Sequence, residues 1–231
     1  MFNHLLKRLN NLTFDKQKIK TLKQLLLLLF TVVLLCCKNE PKKQVFEATT
    51  SKPSPLKYAQ GFTIEDFGNY KVLTVKNPWP KANKSYSYVL ISKKNAAKTT
   101  FLKNQFEAII THPITKIVVT STTHIPALEL LKVEETLVGF PGTDYVSSTK
   151  TRNRIEQNLV KDLGKNEGLN TEVLLELNPD VVVGFGIDGN NRTFDIIKKS
   201  GIPVIFNGDW VESSPLAKAE WIKFFGALYN K

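Results

Sequence analysis

Residues 168–190, GLNTEVLLELNPDVVVGFGIDGN, constrain the fold more than any other stretch of the chain. Thr171, Val173, Leu174 and Leu177 recur at helical spacing, and Asn170 or Thr171 can cap the start of that helix. Asn178-Pro179-Asp180 ends it, because proline lacks an N–H and drives the residue before it out of the helical region. Val181, Val182 and Val183 follow as a β-branched run without alternation. Such a run suits a strand buried on both faces, as in a parallel sheet. Gly184, Gly186 and Gly189 then allow a tight turn and close approach of the backbone to a ligand. In open α/β sheets ligands sit beyond the carboxyl ends of the strands, which places a candidate binding loop here.

The rest of the chain from Lys116 repeats this rhythm. Ile117-Val118-Val119 reads as a buried strand and Ser121-Thr122-Thr123-His124 as a polar loop. Pro126 to Leu131 opens a helix, Leu137 to Phe140 is a strand, and Thr151 to Val160 is a polar-faced helix. Arg192 to Lys199 is a helix closed by Gly201, and Ile202 to Phe206 a further strand. Strand-helix alternation predicts a mostly parallel sheet with helices on both faces. The expected fold class is therefore α/β, Rossmann-like, preceded by a small β segment. Within residues 58–115, Tyr70 to Val75 alternates toward one face, Asn77-Pro78-Trp79-Pro80 breaks it, and Tyr86 to Ser92 is a second strand. This reads as a two-strand unit at a domain edge. Trp79 reads first as a packed aromatic beside a turn and second as a ligand-stacking ring.

The chain has 231 residues and a net charge of +11. Much of that excess sits before residue 25, where Lys7, Arg8, Lys16, Lys18, Lys20 and Lys23 face Asp15 alone. No aromatic-basic motif accompanies it, so nucleic acid is not an expected partner. Leu25 to Leu35 is apolar but shorter than the roughly 20 residues of a membrane span. The basic, apolar, small-residue order is that of a secretory signal. Leu34-Leu35-Cys36-Cys37 resembles a bacterial lipobox, with Cys37 the first choice for lipidation and Cys36 the second. An uncleaved anchor helix is the alternative. Both place the domain outside the cytoplasm, at the periplasmic side of a bacterial envelope and held to the membrane. Residues 1–37 are read as a lipoprotein signal peptide and residues 38–57, rich in Lys, Pro, Ser and Thr, as a flexible tether. Cys36 and Cys37 are the only cysteines. The exported domain therefore has no disulfide, thiol nucleophile or cysteine metal site.

Gly184-Phe185-Gly186-Ile187-Asp188-Gly189 is a GxGxxG after a strand, with Asp209 near the place of a ribose-binding acid. One reading is therefore an exported dinucleotide-dependent enzyme. However, this loop does not follow the first strand of the domain. The blocks KIVVTSTTHIPALELL, LVGFPGTDY, GLNTEVLLELNPDVVVGFG, GIPVIFNGDW and ESSPLAKAEWIKFFG resemble, in order and spacing, the N-terminal lobe of ABC-importer solute-binding proteins for iron–siderophores, haem and cobalamin (class III). The match to Gly168-Leu169-Asn170, Glu172, Leu174-Leu175, Leu177 and Pro179-Asp180-Val181 is the strongest part. The resemblance covers residues 58–231. It implies a binder, not an enzyme, that captures a metal chelate and delivers it to an ABC permease. It implies no resident cofactor. An iron(III)–siderophore is the first expectation for cargo, with cobalamin or haem next.

Carried over loop by loop, the resemblance implies ligand contacts at Ser121, Thr122, Thr123 and His124, at Phe140 and Tyr145, at Gly186 and Ile187, and at Asp209 and Trp210. Hydroxyls and free N–H groups at a helix start suit carboxylate or phosphate. Aromatic rings suit the flat face of a macrocycle or catecholate. Ser121 to Thr123 fit equally well as helix caps. His124 fits a polar loop better than a metal site, because no second histidine or carboxylate lies at ligand spacing. Trp210 fits cleft or core. Glu172 matches the family's permease-docking glutamate, although the helix dipole alone favours a carboxylate there. No GxSxG, HExxH or paired-acid arrangement is present, so no catalytic residues are assigned.

Residues 58–115 are thus expected as a β-rich segment, 116–214 as an α/β lobe, and 215–231 as the start of an inter-lobe helix. Trp221, Phe224, Phe225 and Leu228 recur there at helical spacing. No glycine or proline stop follows, and the family's C-terminal lobe is not in the sequence. The expectation is a truncated or split binder, whose aromatic stripe is exposed and covered by a separate C-lobe.

Overall fold

The computed structural model describes residues 51–231 apart from 167 and 190, together with the backbone of Gln44–Val45. Residues 43–231 make one compact unit. The leader, Cys36 and Cys37, and most of the tether lie outside the described residues. No helix among the described residues is long and apolar enough to cross a membrane.

The β-rich segment is a five-stranded sheet rather than a two-strand unit. Its strands are β1 (Lys52–Pro53), β2 (Phe62–Asp66), β3 (Tyr70–Lys76), β4 (Ser85–Ser92) and β5 (Ala108–His112). They lie in the order β1-β2-β3-β4-β5. The first three pairings are antiparallel and β4-β5 is parallel. Alternation sends Phe62, Ile64, Leu73, Val75, Tyr88 and Leu90 inward to the main core. Tyr70, Val72, Val89 and Ile91 form a second, smaller cluster on the outer face. Pairing begins at Lys52, earlier than the start near Tyr58 expected from composition. A short helix, α1 (Lys93–Ala96), and the segment after it cross that outer face.

The α/β part consists of β6 (Ile117–Val119), α2 (His124–Leu130), β7 (Leu137–Phe140), α3 (Thr149–Glu156), β8 (Lys161–Asp162), α4 (Thr171–Leu177), β9 (Val181–Phe185), α5 (Arg192–Lys199) and β10 (Val204–Asn207). All five strands run parallel, in the order β8-β7-β6-β9-β10. This is a doubly wound sheet. Its direction of winding reverses between β6 and β9, the switch point where such sheets bind ligands. Val181, Val182 and Val183 are wholly buried, as expected of a central parallel strand. Asn170 caps α4 by accepting a hydrogen bond from the Val173 N–H at 3.1 Å, and Asn178 ends the helix in the left-handed conformation. The helix expected over 151–160 is instead α3, capped by Ser148. Its continuation is closed off at Asn158, which has φ 59°.

The C-terminal segment differs most from expectation. It forms α6 (Pro215–Glu220) and α7 (Ile222–Tyr229), joined at Trp221. Asn230, left-handed at φ 56°, supplies the C-cap that glycine usually gives. The aromatic stripe is not exposed. Trp221, Phe224, Phe225 and Leu228 are all buried in the main core. The Phe62 and Trp221 rings lie 4.6 Å apart. The stripe packs onto the inner face of the five-stranded sheet β1–β5, a surface that a two-strand unit would not provide.

Two carboxylates fasten the entry segment to these helices. Glu220 accepts hydrogen bonds from the Lys57, Tyr58 and Ala59 N–H groups and from Lys223. Glu212 accepts from the Gln60 and Gly61 N–H groups and from the Trp221 indole. These bonds lower the Glu220 pKa to about 2 against the opposing effect of burial. On the far side, the Tyr88 hydroxyl accepts a hydrogen bond from the Phe206 N–H of β10 at 3.1 Å.

Candidate functional site

The site forms where the loops after β6, β9 and β10 meet. Thr120, the first residue beyond β6, ties the switch point together. Its N–H donates to the Val183 carbonyl at 3.2 Å, and its hydroxyl accepts from the Phe185 N–H at 2.7 Å. Asn166 donates to the Thr120 carbonyl at 3.1 Å from the loop after β8. Thr120 therefore ties the loop after β6, the end of β9 and the loop after β8 together at one end of the sheet.

Ser121 and Thr123 hydrogen-bond each other at 2.9 Å through their hydroxyls, and Thr123 makes no side-chain cap to α2. The Thr123 hydroxyl instead supports the Asp209 carboxylate, so residues from the β6 and β10 loops converge. Burial nevertheless pushes the Asp209 carboxyl above its usual range. Among the described residues, Asp209 Oδ1, Trp210 Nε1 and Asn166 Oδ1 are buried without hydrogen-bond partners. Unsatisfied polar atoms of this kind each cost about 1–3 kcal/mol, and they offer a ligand ready donors and acceptors. The Phe185 and Trp210 rings lie 5.5 Å apart at the same end of the sheet.

The other expected residues divide. Thr122 is exposed, Tyr145 is 80% exposed and Ile187 is 69% exposed, all on strand-end loops. Phe140 and Gly186 are buried. A Cβ on Gly186 would lie 3.0 Å from the Trp79 indole, so the close approach this glycine permits is to that ring. Trp79 itself packs against Phe206 at 5.2 Å. Gly184 accommodates Phe194 in the same way, at 2.8 Å. None of Gly184, Gly186 and Gly189 has a positive φ. The GxGxxG pattern thus serves aromatic packing within the chain.

His124 is not a loop residue. It opens α2 fully buried, its ring 5.4 Å from Phe225, with neither nitrogen hydrogen-bonded. Burial alone lowers its pKa to about 3. Its face is shared by Ile125 and Leu128, also buried, a pattern the sequence carried. Among the described residues no group of three His, Cys, Asp or Glu side chains could hold a metal ion. Glu172 is exposed in the first turn of α4. That helix begins at the same end of the sheet as the strand-end loops.

Thr120, Asn166 and Phe185 were not singled out from sequence. Asn166 follows β8, a two-residue Lys-Asp strand with no apolar signature. Phe185 is the last residue of β9, and its partner Trp210 was the only clue.

No family model matches the chain. It is similar to an uncharacterized lipoprotein of Methanocaldococcus jannaschii, 28% identical over 130 residues, which are 53% of this chain and 31% of the relative. An uncharacterized protein of the same organism is 26% identical over 126 residues, 52% of this chain and 37% of the relative. The chain thus spans about a third of the length of these curated relatives. Among solved structures, it is similar to a petrobactin-binding protein of Bacillus subtilis, with 18% identity, TM-score 0.40, and coverage of 51% of this chain and 39% of that one. A Helicobacter pylori protein solved as a nickel–histidine complex gives 24%, 0.38, 52% and 39%. A periplasmic haem-binding protein of Roseiflexus gives 24%, 0.33, 41% and 34%. Superpositions at that level leave the fold to rest on the strand order and direction described above.

Proposed function

We propose that residues 58–231 are the N-terminal lobe of a solute-binding lipoprotein of an ABC importer, which captures a metal chelate and hands it to a permease. The observation that carries this reading lies at the switch point, where open α/β sheets form a ligand crevice. Asn166, Asp209 and Trp210 present buried, unpartnered polar atoms there beside the Phe185 and Trp210 rings. Such a crevice suits binding and orienting a ligand. The resemblance in blocks of sequence, and relatives named as lipoproteins, support the same reading. On it, Ser121, Thr123, Asp209 and Trp210 are the inner contacts, and Thr122, Tyr145 and Ile187 form the rim. Cys37 carries the lipid, and Glu172 docks on the permease. A C-lobe, on a longer chain or a separate one, closes the cleft.

The cargo class follows from charge. Among the described residues the strand-end loops carry Asp144, Asp188, Asp209 and Glu212 against Lys165, with Arg152 reaching the Thr143 carbonyl from α3. An iron(III)–siderophore without net negative charge fits this lining better than an anionic one, and neutral cobalamin fits better than haem. The dinucleotide-enzyme reading loses its main support, because Phe194 and Trp79 occupy the space its glycines would leave. Tryptophan fluorescence of residues 43–231, titrated with ferric hydroxamates, ferric catecholates, cobalamin, haemin and NAD, tests the proposal. Saturable binding of a chelate supports it, and binding of NAD alone overturns it.

A further inference from the structure

The outer face of the antiparallel sheet has no part in that crevice, yet it carries an unusual surface. Residues 92–106, SKKNAAKTTFLKNQF, cross it with four lysines and no acid. Lys93, Lys94, Lys98 and Lys103 are all exposed, and among the described residues none of their ammonium groups has an ion pair or hydrogen bond. The first acid after the segment, Glu107, is neutralised by Lys84 at 2.6 Å. Glu65, which shares this face through its pairing with Val72, lies toward the opposite edge and accepts from Ser51 at 3.3 Å.

The same segment has an apolar side. Phe101, Phe106 and Ala96 pack down onto Tyr70, Val72, Val89 and Ile91, which fixes it to the sheet. Between them Leu102 points outward and is 64% exposed. Ile109 pairs with Val89, so it lies on this face, and it is 48% exposed. Beside them opens a polar hollow of about 420 Å³, lined by Ser85, Ser87, Asn104, Gln105, Phe106 and Glu107. Lysines around an exposed leucine, held by an aromatic base, match the two demands of a lipid–water interface. Cations meet phosphates, and a short apolar tip reaches the acyl boundary.

We propose that this face docks on an anionic phospholipid bilayer. Lys93, Lys94, Lys98 and Lys103 engage lipid phosphates, Leu102 inserts, and the hydroxyls and amides of the hollow receive a headgroup glycerol. The proposal rests on the envelope-lipoprotein reading only in that an anchored chain lives beside such a surface. The tether meets the docking segment directly, because the backbone of Gln44–Val45 pairs in parallel with Thr99–Thr100.

The test uses the compact unit, residues 43–231, which lacks the apolar leader. Its co-sedimentation is measured with vesicles of phosphatidylcholine alone and of phosphatidylcholine with phosphatidylglycerol. Binding is expected only with phosphatidylglycerol, falling as salt rises. Each of the four lysines changed singly to glutamine weakens partitioning about fivefold. Leu102→Asp weakens it with unchanged circular dichroism. A control reversing Lys132, Lys161, Lys199 and Lys218 to glutamate, with the same net charge as reversal of the four docking lysines, retains most of the binding. Equal binding to neutral vesicles, no binding, or equal loss in the control overturns the proposal. So does wild-type behaviour of Leu102→Asp. Cargo binding is measured separately, so failure of the cargo reading leaves the vesicle result standing.

Discussion

Replacing His124 with leucine should stabilise the protein, by an amount that grows as pH falls. His124 is fully buried and neither ring nitrogen has a partner. A neutral imidazole buries one donor and one acceptor, and leaving them unpaired costs about 1–3 kcal/mol each. Leucine removes both polar atoms at similar volume. It forfeits the ring contact with Phe225, worth about 0.5–1.5 kcal/mol. The net gain at pH 7 is then about 0.5–5.5 kcal/mol. Burial also lowers the histidine pKa from 6.5 to about 3 in the folded state. Below pH 6.5 the unfolded chain binds a proton that the folded chain refuses, so wild-type stability falls by about 1.4 kcal/mol per pH unit down toward pH 3. Leucine abolishes that loss, so its advantage widens by about 2 kcal/mol between pH 7 and pH 5. Urea denaturation of wild type and His124→Leu, followed by the fluorescence of buried Trp79 and Trp221, measures the gap at both pH values. With a slope of about 2 kcal/mol per molar urea, the midpoints separate by about 1 M more at pH 5 than at pH 7. A variant no more stable than wild type at pH 7, with a gap that ignores pH, would show that the imidazole is paired or solvated.

Other outcomes follow from the same structure. Glu220→Gln should cost about 1–3 kcal/mol at pH 7, because a charged acceptor shared by three N–H groups and Lys223 is lost. The lowered pKa of Glu220 means this contribution is present above pH 4.5 and disappears as pH falls toward 2, so wild type and variant should converge in acid unfolding. Phe224→Ala empties a fully buried site between Phe62 and Trp221 and should cost about 3–5 kcal/mol by thermal or urea unfolding. If the crevice is the cargo site, Trp210→Phe should weaken chelate binding at least fivefold in a fluorescence-independent assay such as calorimetry, since the indole N–H has no other partner.

How much of this was legible in sequence depends on how local each signal is. The Val181–Val183 strand, the Asn170 cap and the stop at Asn178 are written in adjacent residues, and they were read correctly. The parallel sheet followed from repetition of that unit. Long-range pairings were not legible. β5 joins β4 in parallel across an intervening helix and loop, and β8 is two polar residues whose strand character comes from its neighbour β7. The aromatic stripe of α7 was seen, but its partner surface was not. The site shows the same division. Ser121, Thr123, Asp209 and Trp210 lie on loops whose place follows from strand ends. Gly186 and His124 were misjudged because their environments, Trp79 and Phe225, come from distant segments. Glycine after a strand indicates close approach, without saying whether ligand or side chain approaches.

The hydrogen bond from Phe206 to the Tyr88 hydroxyl bears on how this protein avoids its own kind. β10 is the last strand of a parallel sheet, and its outward N–H groups would invite a strand from another molecule. Tyr88, fully buried on the neighbouring sheet, occupies the Phe206 donor and covers that margin with its ring. One outward donor of the margin is thereby occupied within the chain, and Lys198, 5.1 Å over the Phe206 ring, adds a charge beside it. Freeing that donor requires moving the two sheets apart at Tyr88, which is fully buried in the main core, so exposure of this part of the edge is coupled to disruption of the core.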